Sequence, residues 1–163
     1  ANMFYTQKRL GWSIDWKKIK KYIEDEKEVM EWIYYVGIKD DDEKISRYLK
    51  YLNLIGFNTI TKPLKRIKIN DNEIVLKNSK TNFIYKANFD VEITTDILLE
   101  KFKLDEIIIL SGDSDFCYLV KKLKNAGLRV VIFSSKKTIS WELKLECSKI
   151  VYFENLKEKI KRE

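Results

Sequence analysis

Histidine is absent from the sequence. That removes the usual general base, the usual partner of an activated nucleophile and the commonest ligand of transition metals, so carboxylates must do any acid, base or metal work. Cysteine is scarce: Cys117 and Cys147 lie far apart and outside any CxxC spacing. Neither a zinc site nor a disulfide framework is indicated, and reduced, structural thiols are expected. The lone Pro63 marks a loop, and no repeat, low-complexity stretch or linker divides the chain. No apolar run approaches the ~20 residues of a membrane-spanning helix, and no charged and apolar leader opens the sequence. A cytoplasmic protein without a membrane partner is expected.

What is present suits one domain. The 163 residues suffice for a substantial core, and a hydrophobic fraction of 45% makes disorder a poor description. Lys and Arg number 32 against 25 Asp and Glu, and that net +7 is enough to draw a polyanion. RNA, DNA and an acidic membrane all satisfy the charge alone, and lysine that merely solvates the surface satisfies it too.

Periodicity places the elements. After an aromatic and basic opening, Ile14, Trp16, Ile19 and Ile23 recur at helical spacing behind the caps Ser13 or Asp15. The β-branched and aromatic residues between Glu28 and Ile38 read as a strand. Asp40, Asp41 and Asp42 precede an apolar stripe from Ile45 to Ile55 closed by Gly56, the pattern of an acid-capped helix. Phe57–Thr61 is a short strand leading into an irregular hairpin around Asn70, Asp71 and Asn72, whose basic residues can line a nucleic-acid path. A helix follows over Asp90–Phe102, its apolar positions Val91, Ile97, Leu98 and Phe102 separated by acids.

Glu106–Leu110 is too uniformly apolar for a sheet with one wet face, and Arg129–Phe133 is similar. A helix from Phe116 to Gly127 lies between them. A helical piece around Ile139–Cys147 with Trp141 in the core, a strand at Ile150–Phe153 and a basic terminal helix complete the chain. Strands alternating with helices predict an α/β fold, a mostly parallel sheet wrapped on both faces.

Ligands of such a sheet gather beyond the carboxyl ends of its strands, which makes Ser111-Gly-Asp-Ser-Asp115 the leading site. Gly112 allows a tight exit from the strand, while Asp113 and Asp115 flank Ser114 where the next helix opens its free N–H groups. Hard cations such as Mg²⁺ or Mn²⁺ take oxygen ligands, and paired carboxylates are relieved by them. Helix capping by Asp113 or Asp115 is the plainer reading of the same residues.

The run Ser111-Gly-Asp-Ser-Asp-Phe116 after an Ile-rich strand resembles the central motif of the NYN domain family, in its LabA-like branch of PIN-like ribonucleases. Upstream, Lys86-Ala-Asn-Phe-Asp90 and Asp96 resemble the family's second acidic motif, with Ala87 where glycine is more usual. The opening Ala1-Asn2-Met3-Phe4 is similar to the tail of the first motif, in which a strand delivers an aspartate two residues before such an alanine. A single NYN/PIN-like domain over 1–163 lacking that first strand and its aspartate is therefore expected.

The resemblance implies a PIN-like three-layer fold, with Asp90, Asp96, Asp113 and Asp115 gathered around Mg²⁺ or Mn²⁺ and cleavage of RNA phosphodiesters. Asp113 would be the principal metal ligand, Asp90 and Asp96 further ligands or water-orienting groups, and Asp115 a ligand or its support. Asn2, Lys86, Ser111 and Ser114 would meet the RNA. Glu92 and Glu100 fall off the motif and read as surface charge. Trp12, Trp16, Tyr5, Lys8 and Arg9 mix aromatic faces with charge as single-strand binders do, although Trp16 falls on an apolar stripe. A catalytically weak RNA- or protein-binding module on the same fold satisfies the motifs equally. A nucleotide-sugar or Toprim-like DxD site lacks its supporting pattern. The hairpin and the terminal helix are candidate contacts of a homodimer.

Overall fold

The computed structural model describes residues 2–39, 42–68 and 83–163. Contacts divide these into two compact units, Met30–Phe89 and the combination of Asn2–Val29 with Asp90–Glu163.

In the first unit, β1 (Ile33–Ile38) pairs parallel with β2 (Asn58–Pro63), in a register running from Ile33 opposite Asn58 to Ile38 opposite Pro63. The crossover between them is α3 (Glu43–Leu54), as parallel pairing demands of its connection. Asp42 caps α3 by accepting the N–H groups of Lys44 and Ile45, each at 3.1 Å. That accords with the capping reading of the acidic triplet, whose Asp40 and Asp41 lie outside the described residues. Gly56, at φ 88°, ends the helix in the left-handed conformation that costs glycine least. The strand begins at Ile33, later than Glu28, and its aromatics pack across the unit: Trp32 meets Phe57 at 5.2 Å and Tyr34 meets Tyr48 at 6.0 Å between ring centroids. Burial pushes the Tyr34 phenol well above its ordinary pKa. The hairpin appears as β3 (Lys65–Lys68) antiparallel to β4 (Phe83–Lys86), and the turn at Asn70–Asn72 lies outside the described residues.

In the second unit, β5 (Glu106–Ile109), β6 (Arg129–Ser134) and β7 (Lys149–Tyr152) form a parallel sheet in that order. Alternate residues explain the apolar runs. Ile107, Ile109, Val130 and Ile132 pack against Leu119 and Leu123 of α5 (Cys117–Asn125) and Leu143 of α6 (Trp141–Glu146). Val131 and Phe133, on the opposite face of β6, are buried as well, Phe133 against the Phe153 ring at 6.3 Å. Both faces of β6 are thus dry, as its composition predicts. At the start of β5, Glu106 holds Lys27 at 2.7 Å and Arg129 at 3.1 Å.

α2 (Trp16–Glu24) is capped by Asp15 and buries Trp16, Ile19 and Ile23. The terminal helix α7 (Lys157–Ile160) lies against it, with Ile160 buried and its carbonyl accepting the Asp15 N–H at 2.8 Å. The opening read only as aromatic and basic is itself a helix, α1 (Asn2–Leu10), on which Arg9 lies over the Tyr5 ring. α4 (Asp90–Glu100) continues into a 3₁₀ turn over Lys101–Lys103 and presents Ile93 and Ile97 to the core, while Val91, Leu98 and Phe102 face outward.

Trp141 corrects an expectation: it is 67% exposed. α6 is a short helix whose inward position is taken by Leu143, and two residues along a helix is more than half a turn, so Trp141 faces solvent.

Candidate active site at the carboxyl end of the three-stranded sheet

Three parallel strands deliver their following loops to one edge. β5 runs into Ser111–Asp115, β6 into Ser135–Ser140 and β7 into a 3₁₀ turn over Phe153–Leu156. Each loop is held by polar contacts that the strands themselves do not make. The buried Ser111 hydroxyl accepts the Asp113 N–H at 3.2 Å. The Gly112 carbonyl accepts the Ser140 N–H at 2.8 Å, tying the first loop to the second. Ser135 donates its hydroxyl to Glu154 at 2.6 Å, tying the second to the third, and the Lys136 N–H adds a bond to the same carboxylate at 3.0 Å.

Gly112 is required by this contact. A Cβ there would run into the Thr138 carbonyl oxygen and lie 2.7 Å from Ser134 Oγ and 2.8 Å from Ile139 Cα. Thr6 of α1 meets Thr138 hydroxyl to hydroxyl at 3.1 Å, which brings α1, the helix that Asn2 opens, to the same edge.

Asp113 leaves the strand with extended backbone and its side chain accepts the Asp115 N–H at 3.3 Å, capping the 3₁₀ turn Ser114–Phe116 from which α5 grows. Capping and candidate chemistry therefore coincide in one residue. Asp113 is half-buried, whereas Ser114 and Asp115 are exposed. The adjoining Cys117 thiol is pushed up by burial and then by the charge of Glu142, with Glu146 and Asp113 adding to it against a hydrogen bond with Ser140. Both cysteines are free.

The sequence-predicted residues are thus partly assembled. Ser111, Asp113, Ser114 and Asp115 share one turn. Asp90 opens α4 and Asp96 lies in its second turn, both half-buried, on a helix whose Ile93 and Ile97 rest on the same core as α5. Lys86 ends β4 in the Met30–Phe89 unit and is exposed. Among the described residues, no group of three or more Asp, Glu, Cys or His side chains is placed to hold a metal ion. The pair Asp113 and Asp115, oxygen donors without imidazole or thiolate, suits a cation such as Mg²⁺ that keeps several waters and draws further ligands from substrate phosphates.

Sequence reasoning missed the loop after β6, which adds exposed Lys136 and Lys137 to this edge, and it missed Glu142 near Cys117. The signal was available. Ser134-Ser-Lys-Lys-Thr138 follows an apolar strand just as Ser111–Asp115 does.

The residues of this edge, and nearly all the rest, match the family model of the NYN domain, over residues 1–154. The chain belongs to the NYN domain family. Among its relatives is the Low amplitude and bright protein LabA of Synechococcus elongatus, 28% identical over 145 residues that span 88% of this chain and 74% of LabA. The fold is shared with the crystal structure of a protein of unknown function from Vibrio parahaemolyticus, at a TM-score of 0.75 and 22% identity over 99% of this chain and 90% of that one. The fold is mixed α/β with parallel-strand sheets, consistent with the PIN-like fold expected of the sequence. NYN domains are RNA-associated, so this one has a nuclease-like or RNA-associated role. No helix among the described residues is long and apolar enough to cross a membrane.

Proposed function

We propose that this NYN domain is a metal-dependent ribonuclease that hydrolyses RNA phosphodiester bonds in the cytoplasm. The observation that carries the reading is the Ser111–Asp115 turn, set at the carboxyl end of a parallel sheet and locked there through Gly112. Asp113 and Asp115 would hold Mg²⁺ or Mn²⁺, whereas Asp90 and Asp96 of α4 are not placed to complete a group of three with them. When bound, the cation supplies charge stabilisation at the phosphate and a lowered pKa for a water.

The chain's own residues orient and attract. The Ser111 hydroxyl is buried and engaged with the Asp113 N–H, which supports a role in positioning that carboxylate. Exposed Ser114 is the better donor to a phosphate oxygen, and Lys136 and Lys137 offer the positive charge that draws the backbone in. Labelled single-stranded RNA incubated with the protein in Mn²⁺, in Mg²⁺ and in chelator tests the reading. Cleavage that appears only with metal is expected, and equal cleavage in chelator refutes it.

A second reading, RNA binding without cleavage, is favoured by β3 and β4. Neither strand carries an acid, and the register sets Arg66 opposite Tyr85 and Lys68 opposite Phe83. The Arg66 guanidinium lies 4.0 Å from the Phe83 ring centroid and the Lys39 ammonium 3.8 Å from that of Tyr85, which stays 48% exposed. Cations interleaved with aromatic faces suit a single strand whose bases stack and whose phosphates are neutralised. The double variant Arg66→Ala/Tyr85→Ala is expected to bind oligouridine about tenfold more weakly in fluorescence anisotropy, and its affinity should depend less steeply on salt. Unchanged affinity would remove the ribbon from the binding surface.

A further inference from the structure

The chain has four tryptophans, and Trp141 alone of them is exposed. Tryptophan is highly buried on average, so a ring left in solvent beside a candidate site calls for an explanation. The segment that leads into it is tightly held. Ser135 donates its hydroxyl to Glu154, and the same oxygen accepts the Lys137 N–H at 3.1 Å. The Thr138 and Ile139 N–H groups each reach the Ser135 carbonyl at 3.1 Å, and Ser140 caps α6 by accepting the Leu143 N–H at 3.2 Å. Trp141 is thus presented on a fixed platform, and a ligand that meets it has little of the chain left to order.

Two features bring the ring to the Ser111–Asp115 turn. Trp141 is the first residue of α6, and side chains lean toward the N-terminus of their helix, here toward the edge that receives the loops. It also follows Ser140, whose N–H meets the Gly112 carbonyl at 2.8 Å, and Asp113 follows Gly112. Standard backbone dimensions then keep the Trp141 and Asp113 Cα atoms within about 10 Å, the span of a dinucleotide. Charge surrounds the ring unevenly. Lys136 and Lys137 stand exposed in the loop just before it, and half-buried Lys144 lies on one flank of α6. Glu142 takes the other flank, toward Cys117.

This pairing of chemistries selects the occupant. An apolar protein segment would be served by Trp141 and by Leu145, 66% exposed one turn on, but gains nothing from the lysines of the loop. A single-stranded nucleic acid uses both, since its bases stack on an indole face while its phosphates are neutralised by cations. We propose that Trp141 is a substrate-binding residue on which one base of a single-stranded RNA stacks, with Lys136 and Lys137 holding the backbone that leads to the Ser111–Asp115 turn. The assignment rests on the ribonuclease reading of this edge and adds to it the element that sets which phosphate reaches the turn.

Fluorescence anisotropy of a labelled oligoadenylate in chelator tests the platform apart from any cleavage. Trp141→Ala is expected to bind about tenfold more weakly. Trp141→Phe should keep most of the affinity, because its ring still stacks, and both variants should melt with the wild type, since the side chain lies in solvent. An oligomer of abasic sugar phosphates of the same length should bind the wild type and Trp141→Ala alike, because it offers charge without a base. Equal oligoadenylate affinity of the wild type and Trp141→Ala overturns the proposal, even where metal-dependent cleavage is found. An equal loss on the abasic oligomer overturns it too, because Trp141 then acts through something other than a base. Binding that depends on Trp141, without cleavage in any metal, upholds the platform and removes the ribonuclease reading instead.

Discussion

Asp113→Asn is expected to abolish metal-dependent cleavage of single-stranded RNA by this NYN domain while leaving its fold in place. Asparagine has nearly the same shape and keeps a side-chain oxygen to accept the Asp115 N–H, the 3.3 Å bond that shapes the turn into α5. What it loses is the negative charge. On the proposed reading that charge is the principal attachment of the cation, which contributes several kcal/mol at the phosphate, so the rate should fall by roughly a thousandfold or more. Asp115→Asn should cost less, because Asp115 is the more exposed and supporting member of the pair. Parallel measurements of cleavage rate and thermal melting separate charge from structure. Undiminished cleavage by Asp113→Asn in a folded protein would take Asp113 out of the chemistry, and with it the reading of this edge as the active site.

Gly112→Ala should produce the largest loss of stability for the smallest change in composition. The added methyl would strike the Thr138 carbonyl oxygen and press on Ile139 Cα at 2.8 Å, both backbone atoms that cannot rotate away, with Ser134 Oγ at 2.7 Å. To make room, the loops after β5 and β6 must part, which endangers the Ser140 N–H bond to the Gly112 carbonyl at 2.8 Å. Overpacking and a lost hydrogen bond together suggest about 3 kcal/mol, or a melting temperature lower by roughly 10 °C. Cleavage should fall as well, since the same parting turns Asp113 away from its place. A melt lowered by less than about 2 °C would mean that the loops yield cheaply and that this contact is not what positions the carboxylate.

Much of this was readable beforehand. The cap at Asp42, the stop at Gly56, the apolar strands β5 and β6 and the acidic turn beyond β5 are short-range features, each dictated by a few consecutive residues. The hairpin was anticipated as irregular, and its two strands carry the basic and aromatic pattern that the sequence displays. Less legible was α1, a nine-residue helix whose Thr6 is buried through Thr138, a contact 132 residues away. Trp141 reads inward by the same helical-stripe argument as Trp16, and Leu143 holds the inward place instead.

The sequence by itself determined that, without histidine, carboxylates must do any acid, base or metal work, that β5 and β6 are parallel and apolar, and that Ser111–Asp115 opens a helix beyond one of them. Local periodicity, caps and composition suffice for those, since each reflects the preferences of neighbouring residues. Only the tertiary structure decided that Gly112 abuts Thr138 and Ile139, that Glu154 ties the loop after β6, and that Val91 and Leu99 of α4 and Phe102 just beyond it stand exposed. Such outcomes depend on which distant segments come into contact, and burial is a property of the packed chain that no short stretch of sequence carries.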